Sequence, residues 1–105
     1  MSQIEILEPL KQEFVFKKAS QILRETRLEQ HFGWHSNGRG KFCAFGILMN
    51  VAGWDGVSYK EEYFYKVIDR WFGGDLRWYD IIADMNDTNH KPFTEIAAYL
   101  EEYSL

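Results

Sequence analysis

The segment from Phe42 to Ala52 constrains the fold more than any other part of the chain. It is apolar nearly all round, and only Gly46 and Asn50 interrupt it. A helix without a polar face is usually surrounded by other helices. The segment therefore predicts a central helix. Gly46 would let a neighbouring backbone or ring approach closely, since glycine inside a helix otherwise costs about 1 kcal/mol relative to alanine.

Apolar residues at helical spacing predict four amphipathic helices around the central one. The first runs from Pro9 to Leu28. The second begins at a capping box, Ser58 to Glu61, and ends at Gly73-Gly74. The third is capped by Asp75, and the last is opened by Pro92. The residues expected to face inward are Val15, Ala19, Ile22, Leu23, Tyr63, Phe64, Val67, Ile68, Trp71, Phe72, Leu76, Tyr79, Ile82, Ala83, Phe93, Ile96, Ala97, Leu100 and Tyr103.

Asn37-Gly38 is a strong tight-turn signal, because both residues accept positive φ. It predicts a short two-stranded β-ribbon near residues 33–42 that leans on the helices. A chain of 105 residues is long enough to bury one core. The predicted fold class is therefore mostly α: a single compact helical domain, residues 1–105, of about five helices with one short β-ribbon. The βαβ alternation of a nucleotide-binding sheet is absent from the sequence.

The net charge of −4 counts against general nucleic-acid binding, which usually needs a basic surface. Arg24, Arg27, Arg39 and Lys41 form one local basic stretch, so nucleic-acid binding stays open as a weaker alternative. No apolar run approaches the roughly 20 residues of a membrane span, and no secretory signal is recognisable. The single cysteine can form no internal disulfide, which is typical of a reducing compartment. We expect a cytoplasmic protein without membrane contact.

Cys43 is the first candidate for chemistry. It falls near the start of the central helix, where the positive end of the helix dipole can stabilise a thiolate. His35 could then act as the base and Asp87 as the orienting group of a nucleophilic site. Alternatively, Cys43 is a small buried hydrophobe, as its neighbours Phe42 and Phe45 favour.

The window from Asp84 to Glu95 resembles a calcium-binding loop only in part. Oxygen-bearing side chains occupy loop positions 1, 3, 5 and 12, namely Asp84, Asn86, Thr88 and Glu95. Lys91-Pro92 then breaks the pattern, so we predict no metal site and no cofactor. Asn and Asp side chains also bond nearby backbone groups, and Asn86-Asp87 can simply hold the corner between the last two helices.

Four aromatic residues, Trp71, Phe72, Trp78 and Tyr79, flank the Gly73-Gly74 corner. A helix–helix corner cannot easily hide four rings. We therefore predict an exposed aromatic surface that contacts a partner protein, a stacked base or a sugar ring. The alternative is that these rings close one end of the core.

Two segments, residues 41–46 (Lys-Phe-Cys-Ala-Phe-Gly) and Asn86-Asp87 followed by residues 93–96 (Phe-Thr-Glu-Ile), resemble a family of short bacterial and phage proteins classed as a domain of unknown function. The resemblance covers most of residues 15–103. It implies a helical fold and no particular activity. The matching positions are Trp34, Cys43, Gly46, Asn86 and Asp87. It also implies that Cys43 and Asn86-Asp87 meet at one polar site near Trp34.

These observations favour a small acidic cytoplasmic protein, encoded by a phage or mobile element, that binds a macromolecular partner. A protein is the favoured partner, because no convincing catalytic set is present while aromatic and charged residues are plentiful. The alternative is a small enzyme or ligand-binding domain centred on Cys43 and Asn86-Asp87.

Overall fold

The computed structural model describes residues 17–33 and 35–105. Its α-helices are α1 (Ala19–Glu25), α2 (Ala44–Val51), α3 (Glu61–Phe72), α4 (Arg77–Ala83) and α5 (Phe93–Glu101). A π-helix, Asp84–Thr88, continues α4, and two short strands, β1 (Glu29–Gln30) and β2 (Lys41–Phe42), lie between α1 and α2. The predicted class, a compact mostly α domain with a small β element, is confirmed. Within the described residues no helix has the length and apolarity that crossing a membrane requires.

The predicted central helix is confirmed as α2. Its residues from Ala44 to Met49 are all buried, and Phe45 and Leu48 are 0% exposed. It packs against α1, α3 and α4, while α1 makes its most extensive contacts with α5. The helix begins two residues later than predicted, because Phe42 belongs to β2 and Cys43 is the extended N-cap residue.

The first helix is shorter than predicted. It begins at Ala19 and ends at Glu25, three residues before the predicted end. Lys18 and Thr26, which flank it, both have extended backbone (ψ 157° and 143°), and an extended residue cannot continue a helix. The predicted part of this helix before residue 17, with Val15, lies outside the described residues.

A two-stranded ribbon forms, but only one of its strands, β2, flanks the Asn37-Gly38 turn. β1 and β2 pair in parallel, Glu29 with Lys41 and Gln30 with Phe42. Around the turn, a single antiparallel bridge joins Ser36 to Phe42. The Asn37 side chain accepts the N–H groups of residues 39 and 41 (2.7 and 3.1 Å) and so shapes the turn.

The predicted capping box at the start of α3 is wrong, since the helix begins at Glu61 and Ser58 does not cap it. Asp55 Oδ1 accepts the N–H groups of residues 57 and 58 (2.9 and 2.8 Å), and the Ser58 carbonyl accepts the indole N–H of Trp54 (2.9 Å). The Glu61 carboxylate accepts the Tyr59 hydroxyl (2.6 Å). These bonds shape a loop, residues 54–60, where the sequence predicted a helix start.

The end of α3 is as predicted, whereas α4 begins one residue later than a cap at Asp75 predicts, with Leu76 as its N-cap residue. Gly73 has left-handed backbone (φ 60°), and the Gly74 N–H donates to the Ile68 carbonyl (3.0 Å), which ends α3. Asp75 Oδ1 accepts the N–H of Arg77 (3.0 Å) at the start of α4.

Most of the predicted inward faces are confirmed. The buried residues of α3 and α5 are Val67, Ile68, Trp71, Phe72, Phe93, Ile96, Ala97 and Leu100. The prediction is wrong for Leu76 and Tyr103, which are 51% and 53% exposed. Both lie just beyond the ends of their helices, where helical periodicity no longer sets the direction of a side chain.

Candidate functional site

Asn86 is the polar centre of the structure and is fully buried. Its Oδ1 accepts the backbone N–H of Ala44 (2.9 Å) and the amide of Gln30 (2.8 Å). Its Nδ2 donates to the carbonyl of His31 (2.9 Å) and to Oδ1 of Asp87 (2.7 Å). Both lone pairs and both protons of the carboxamide are therefore used. Asn86 ties the π-helix to β1 and to the first turn of α2.

The π-helix carries Asn86 into the core. Its wider turn is closed by bonds that span five and six residues, from the Asn89 N–H to the Asp84 carbonyl (3.0 Å) and from the Lys91 N–H to the Met85 carbonyl (2.9 Å). The sequence predicted a polar surface turn here, because the spacing of polar residues fits a turn and no simple pattern signals a π-helix.

The positions that carry the family resemblance meet around the first turn of α2. The backbone N–H of Cys43 donates to the carbonyl of His35 (2.9 Å), and Asn86 caps the next residue. The same His35 carbonyl oxygen lies 2.0 Å from where a β-carbon on Gly46 would be. The close approach predicted at Gly46 is therefore confirmed. Trp34 lies outside the described residues.

Cys43 has the environment of a structural thiol. It is 3% exposed, and its Sγ accepts the Gly46 N–H (3.3 Å). Burial, reinforced by the negative charge of Asp87, raises the pKa of the thiol to about 12. Because the thiolate is the reactive form, this environment works against the nucleophile hypothesis.

We expect Cys43 to resist alkylation in the native protein. Iodoacetamide at pH 8 should label the folded chain at least about 100-fold more slowly than the chain unfolded in guanidinium, where the thiol regains its ordinary pKa and access. Mass spectrometry measures the rate, and the chain has only one cysteine to report. Equal rates in the two conditions would restore the reactive-cysteine hypothesis.

His35, the proposed base, lies in an aromatic pocket and is 5% exposed. Its ring centroid is 6.1 Å from that of Phe45, 6.2 Å from Trp54 and 5.5 Å from Tyr79. Burial, and then the positive charge of Lys60, lowers the pKa of His35 to about 4. At neutral pH both the His35 ring and the Cys43 thiol are therefore uncharged, so the two do not form a Cys–His ion pair.

We expect the free energy of unfolding to fall as the pH is lowered from about 6.5 towards 4. Between the folded pKa of about 4 and the unfolded value of 6.5, only the unfolded chain takes up a proton at His35, so protonation favours unfolding. The loss is at most about 1.4 kcal/mol per pH unit and up to about 3 kcal/mol in all. Urea titrations at pH 7, 6 and 5 measure it. His35→Gln should show a flatter dependence, and identical slopes would refute the assignment.

The predicted aromatic surface is largely part of the core. Trp71 and Phe72 are 8% and 4% exposed, and the Trp71 indole N–H donates to a backbone carbonyl just before α1 (2.9 Å). Tyr79 packs edge-on against Phe45 (centroids 5.1 Å apart), and half-buried Trp78 stacks on Phe72 (5.9 Å). The predicted exposure is therefore wrong for Trp71 and Phe72, which belong to the core, whereas Trp78 and Tyr79 are half-buried.

Ion pairs neutralise part of the predicted basic stretch. The Arg24 guanidinium binds the Glu101 carboxylate through two nitrogens (2.7 and 2.9 Å) and so joins α1 to α5. The Lys41 ammonium lies 3.5 Å from the carboxylate of Glu29. Arg27 and Arg39 are exposed. This pairing weakens the case for a basic surface that could displace counterions from nucleic acid.

The window from residue 84 to residue 95 does not form a calcium loop. Its first part is the π-helix, and Asn86, which would supply a ligand, uses its side-chain oxygen within the protein. Among the described residues, no group of three or more His, Cys, Asp or Glu side chains is placed to hold a metal ion.

A surface groove lies between loop 54–60 and the segment that carries His35. A larger cavity of about 470 Å³ adjoins a smaller one of about 290 Å³ that continues along α3. Both are lined by His35, Tyr59 and Lys60. The larger adds Ser36, Trp54, Gly56, Val57 and Ser58, and the smaller adds Glu61, Phe64 and Tyr65. We call the two cavities together the His35 groove.

Loop 54–60 is shaped by hydrogen bonds within it and by one from Asn50. Asp55 accepts N–H groups of Ser58 and Val57, which also hold the pKa of its carboxyl below the usual range. The Asn50 amide donates to the Trp54 carbonyl (2.9 Å). Buried Trp54 anchors the loop, and Val57 and Tyr59 are left 69% and 78% exposed.

The His35 groove is the candidate binding site that sequence reasoning missed. Tyr59 lies within the predicted capping box, Ser58 to Glu61, and was therefore assigned to a helix start. His35, chosen from the sequence as a base, forms part of the groove wall above Cys43. Compared with protein-family models, with curated proteins and with solved structures, the chain matches none of them.

Proposed function

We propose that this protein binds a partner protein through the His35 groove. The observation that carries the proposal is the exposure of Val57 (69%), Tyr59 (78%) and Tyr65 (49%) along a concave surface. Tyrosine is enriched at protein interfaces, because its ring offers a large contact area and its hydroxyl tolerates water. The hydrogen bonds within loop 54–60 reduce the ordering cost of binding.

The experiment compares affinity capture by the wild type with capture by Tyr59→Ala. A control is Leu76→Ala, which removes another exposed apolar side chain (51%) at the start of α4, a segment that does not line the groove. A partner should be retained by the wild type and by Leu76→Ala but lost by Tyr59→Ala, with unchanged circular dichroism for all three. Equal capture by the two variants would refute the proposal.

A second candidate function is the binding of a small molecule in the same groove. It is favoured by the volume of the larger cavity, about 470 Å³, which falls within the range typical of small-molecule sites. The ligand-binding alternative drawn from the sequence is thus moved from Cys43 and Asn86-Asp87 to the His35 groove. The burial of Cys43 speaks against the enzymatic form. A small-molecule library screened by thermal shift, with hits lost in Tyr59→Ala, would support this candidate over a protein partner.

We further propose that the protein belongs to the family of short bacterial and phage proteins that it resembles, and that it acts in the cytoplasm of a cell carrying a phage or mobile element. Support comes from the meeting of Cys43, Gly46, Asn86 and Asp87 at one helix start, as expected of shared landmarks. A buried, unpaired thiol fits a reducing compartment. A family member whose late asparagine does not cap its apolar helix would count against the membership.

A further inference from the structure

A further cavity, of about 410 Å³, lies between α1, the segment that follows it and α2, and shares no lining residue with the His35 groove. Two buried side chains, Ile22 of α1 and Ile47 of α2, form its apolar floor. Half-buried Val51 and exposed Leu28 continue the apolar wall towards the surface. The volume falls within the range typical of small-molecule sites. We call it the Arg27 cavity, after the arginine that also lines it.

The course of the chain after α1 sets the walls of this cavity. Thr26 has extended backbone (ψ 143°), so residues 26–28 run beside α2 instead of continuing α1. The Thr26 hydroxyl accepts the N–H of Leu28 (3.2 Å), which constrains the short segment. On α2, the lining residues Ile47, Asn50 and Val51 are three and four positions apart and share one helix face. The apolar walls therefore belong to elements whose backbone is fixed.

Arg27 leaves a surplus positive charge beside these apolar walls. Within the part of the chain that the structure describes, no carboxylate pairs with it. Glu25 also lines the cavity, but its carboxylate binds the ammonium of Lys17. Glu29, the next acid along the chain, lies 3.5 Å from the ammonium of Lys41. Since both neighbouring acids are paired with other cations, the charge of Arg27 is available to a ligand.

Two neutral hydrogen-bond donors line the same cavity. The Thr26 hydroxyl and the second amide proton of Asn50 have no acceptor among the described residues. The end of a helix usually repels an anion. At the end of α2, however, the carbonyls of residues 48–50 accept the N–H groups of residues 52–54 (2.9–3.0 Å), which reduces that repulsion. The polar part of the cavity therefore suits an acceptor group with a negative charge.

We propose that the Arg27 cavity binds a free small carboxylate with a short aliphatic tail. The carboxylate pairs with Arg27, and the tail packs against Ile22 and Ile47. A guanidinium can hold both oxygens of a carboxylate, which fixes the head while the tail fills the apolar floor. An amine with the same tail would meet repulsion from Arg27. The site is independent of the proposed function, because the His35 groove contributes no residue to it.

The test titrates octanoate, octanamide and hexanoate into the full chain by calorimetry. We expect octanoate to bind at a single site, with an affinity that falls as salt is added. Octanamide has the same tail without the charge and should bind about fivefold or more weakly. Hexanoate keeps the charge but buries two fewer methylene groups, so it should bind about tenfold more weakly than octanoate.

Arg27→Gln should weaken octanoate binding by about fivefold and leave octanamide binding unchanged. The matched control is Arg39→Gln, another exposed arginine of the predicted basic stretch that lines neither this cavity nor the groove. This control should bind like the wild type. Val51→Phe places a larger side chain in the cavity wall and should abolish binding of both probes. Thermal melting checks that the three variants are folded.

Several results would overturn the inference. They are the absence of octanoate binding, equal affinity for octanoate and octanamide, and equal affinity of the wild type and Arg27→Gln. Octanoate binding that is lost in Tyr59→Ala but kept in Val51→Phe would place the ligand in the His35 groove instead. Self-association abolished by Val51→Phe would make a second copy of the chain the occupant. None of these results affects capture of a partner through Tyr59, so the proposed function is tested separately.

Discussion

Gly46→Ala is expected to destabilise the protein by about 3 kcal/mol or more, although alanine is the better helix former. A β-carbon at this position would lie 2.0 Å from the carbonyl oxygen of His35, well inside contact distance. That oxygen belongs to the backbone and also accepts the N–H of Cys43 (2.9 Å). To relieve the clash, the His35 segment would have to leave the start of α2, and the groove wall would move with it.

Guanidinium unfolding measures the effect, and Gly73→Ala is the comparison. Gly73 has a φ of 60°, but a β-carbon there would meet nothing within 4 Å. Its substitution carries only the backbone cost of left-handed alanine, about 1–2 kcal/mol. Propensity alone predicts that Gly46→Ala stabilises a helix by about 1 kcal/mol. A neutral or stabilising result would therefore show that the His35 carbonyl does not approach α2 as described.

Asn86→Ala is expected to cost about 3–4 kcal/mol. The substitution leaves two backbone groups, the Ala44 N–H and the His31 carbonyl, without the side chain that bonds them. Gln30 keeps a second acceptor, the Lys91 carbonyl (2.7 Å). The cost follows from the 0% exposure of Asn86, because water cannot replace the lost bonds without opening the core.

The control for this prediction is Asn89→Ala, in the same segment. Asn89 is exposed, and its side chain makes a long bond to Asp84 (3.3 Å). We expect that variant to lose less than about 0.5 kcal/mol, as is usual for a surface position. Asn86→Asp tests the donor bonds of the side chain separately. It keeps the size of the side chain and its acceptor oxygen, but it loses the bond donated to the His31 carbonyl and places a second carboxyl group beside Asp87. If Asn86→Ala were as stable as the wild type, the conclusion that Asn86 joins the π-helix to β1 and α2 would be refuted.

The site shows where prediction from sequence succeeded and where it failed. Cys43, Asn86 and Asp87 were expected to meet, and they do so at the start of α2. Their chemistry was not predictable, because the same residues serve a reactive site when solvated and a structural one when buried. Burial depends on which other segments cover them. Here Asn86 bonds to Gln30 and His31, which are more than 50 positions away in sequence.

The loop that shapes the groove was predicted as a helix start for a similar reason. Ser58 and Glu61 have the spacing of a capping box. In the structure, however, the Ser58 N–H donates to Asp55 and the Glu61 carboxylate accepts the Tyr59 hydroxyl, so the two residues do not bond to each other. Local spacing cannot reveal such competition, because a cap and a loop turn use the same polar groups. The groove itself depends on a contact between residues about 20 positions apart, His35 and loop 54–60, which no periodicity reports.

What the sequence by itself determined is the set of helices and most of their buried faces. The apolar run of α2 and the periodicity of α3 follow from short-range spacing, and the stop at Gly73-Gly74 follows from backbone preference. The tertiary structure alone decided that Trp71 and Phe72 near the Gly73 corner are buried, that Asn86 is buried within a π-helix, and that Val57 and Tyr59 stand exposed beside Lys60. The physical reason is that exposure, pKa and hydrogen-bond partners depend on segments distant in the chain, whereas helical periodicity depends on neighbours within two turns.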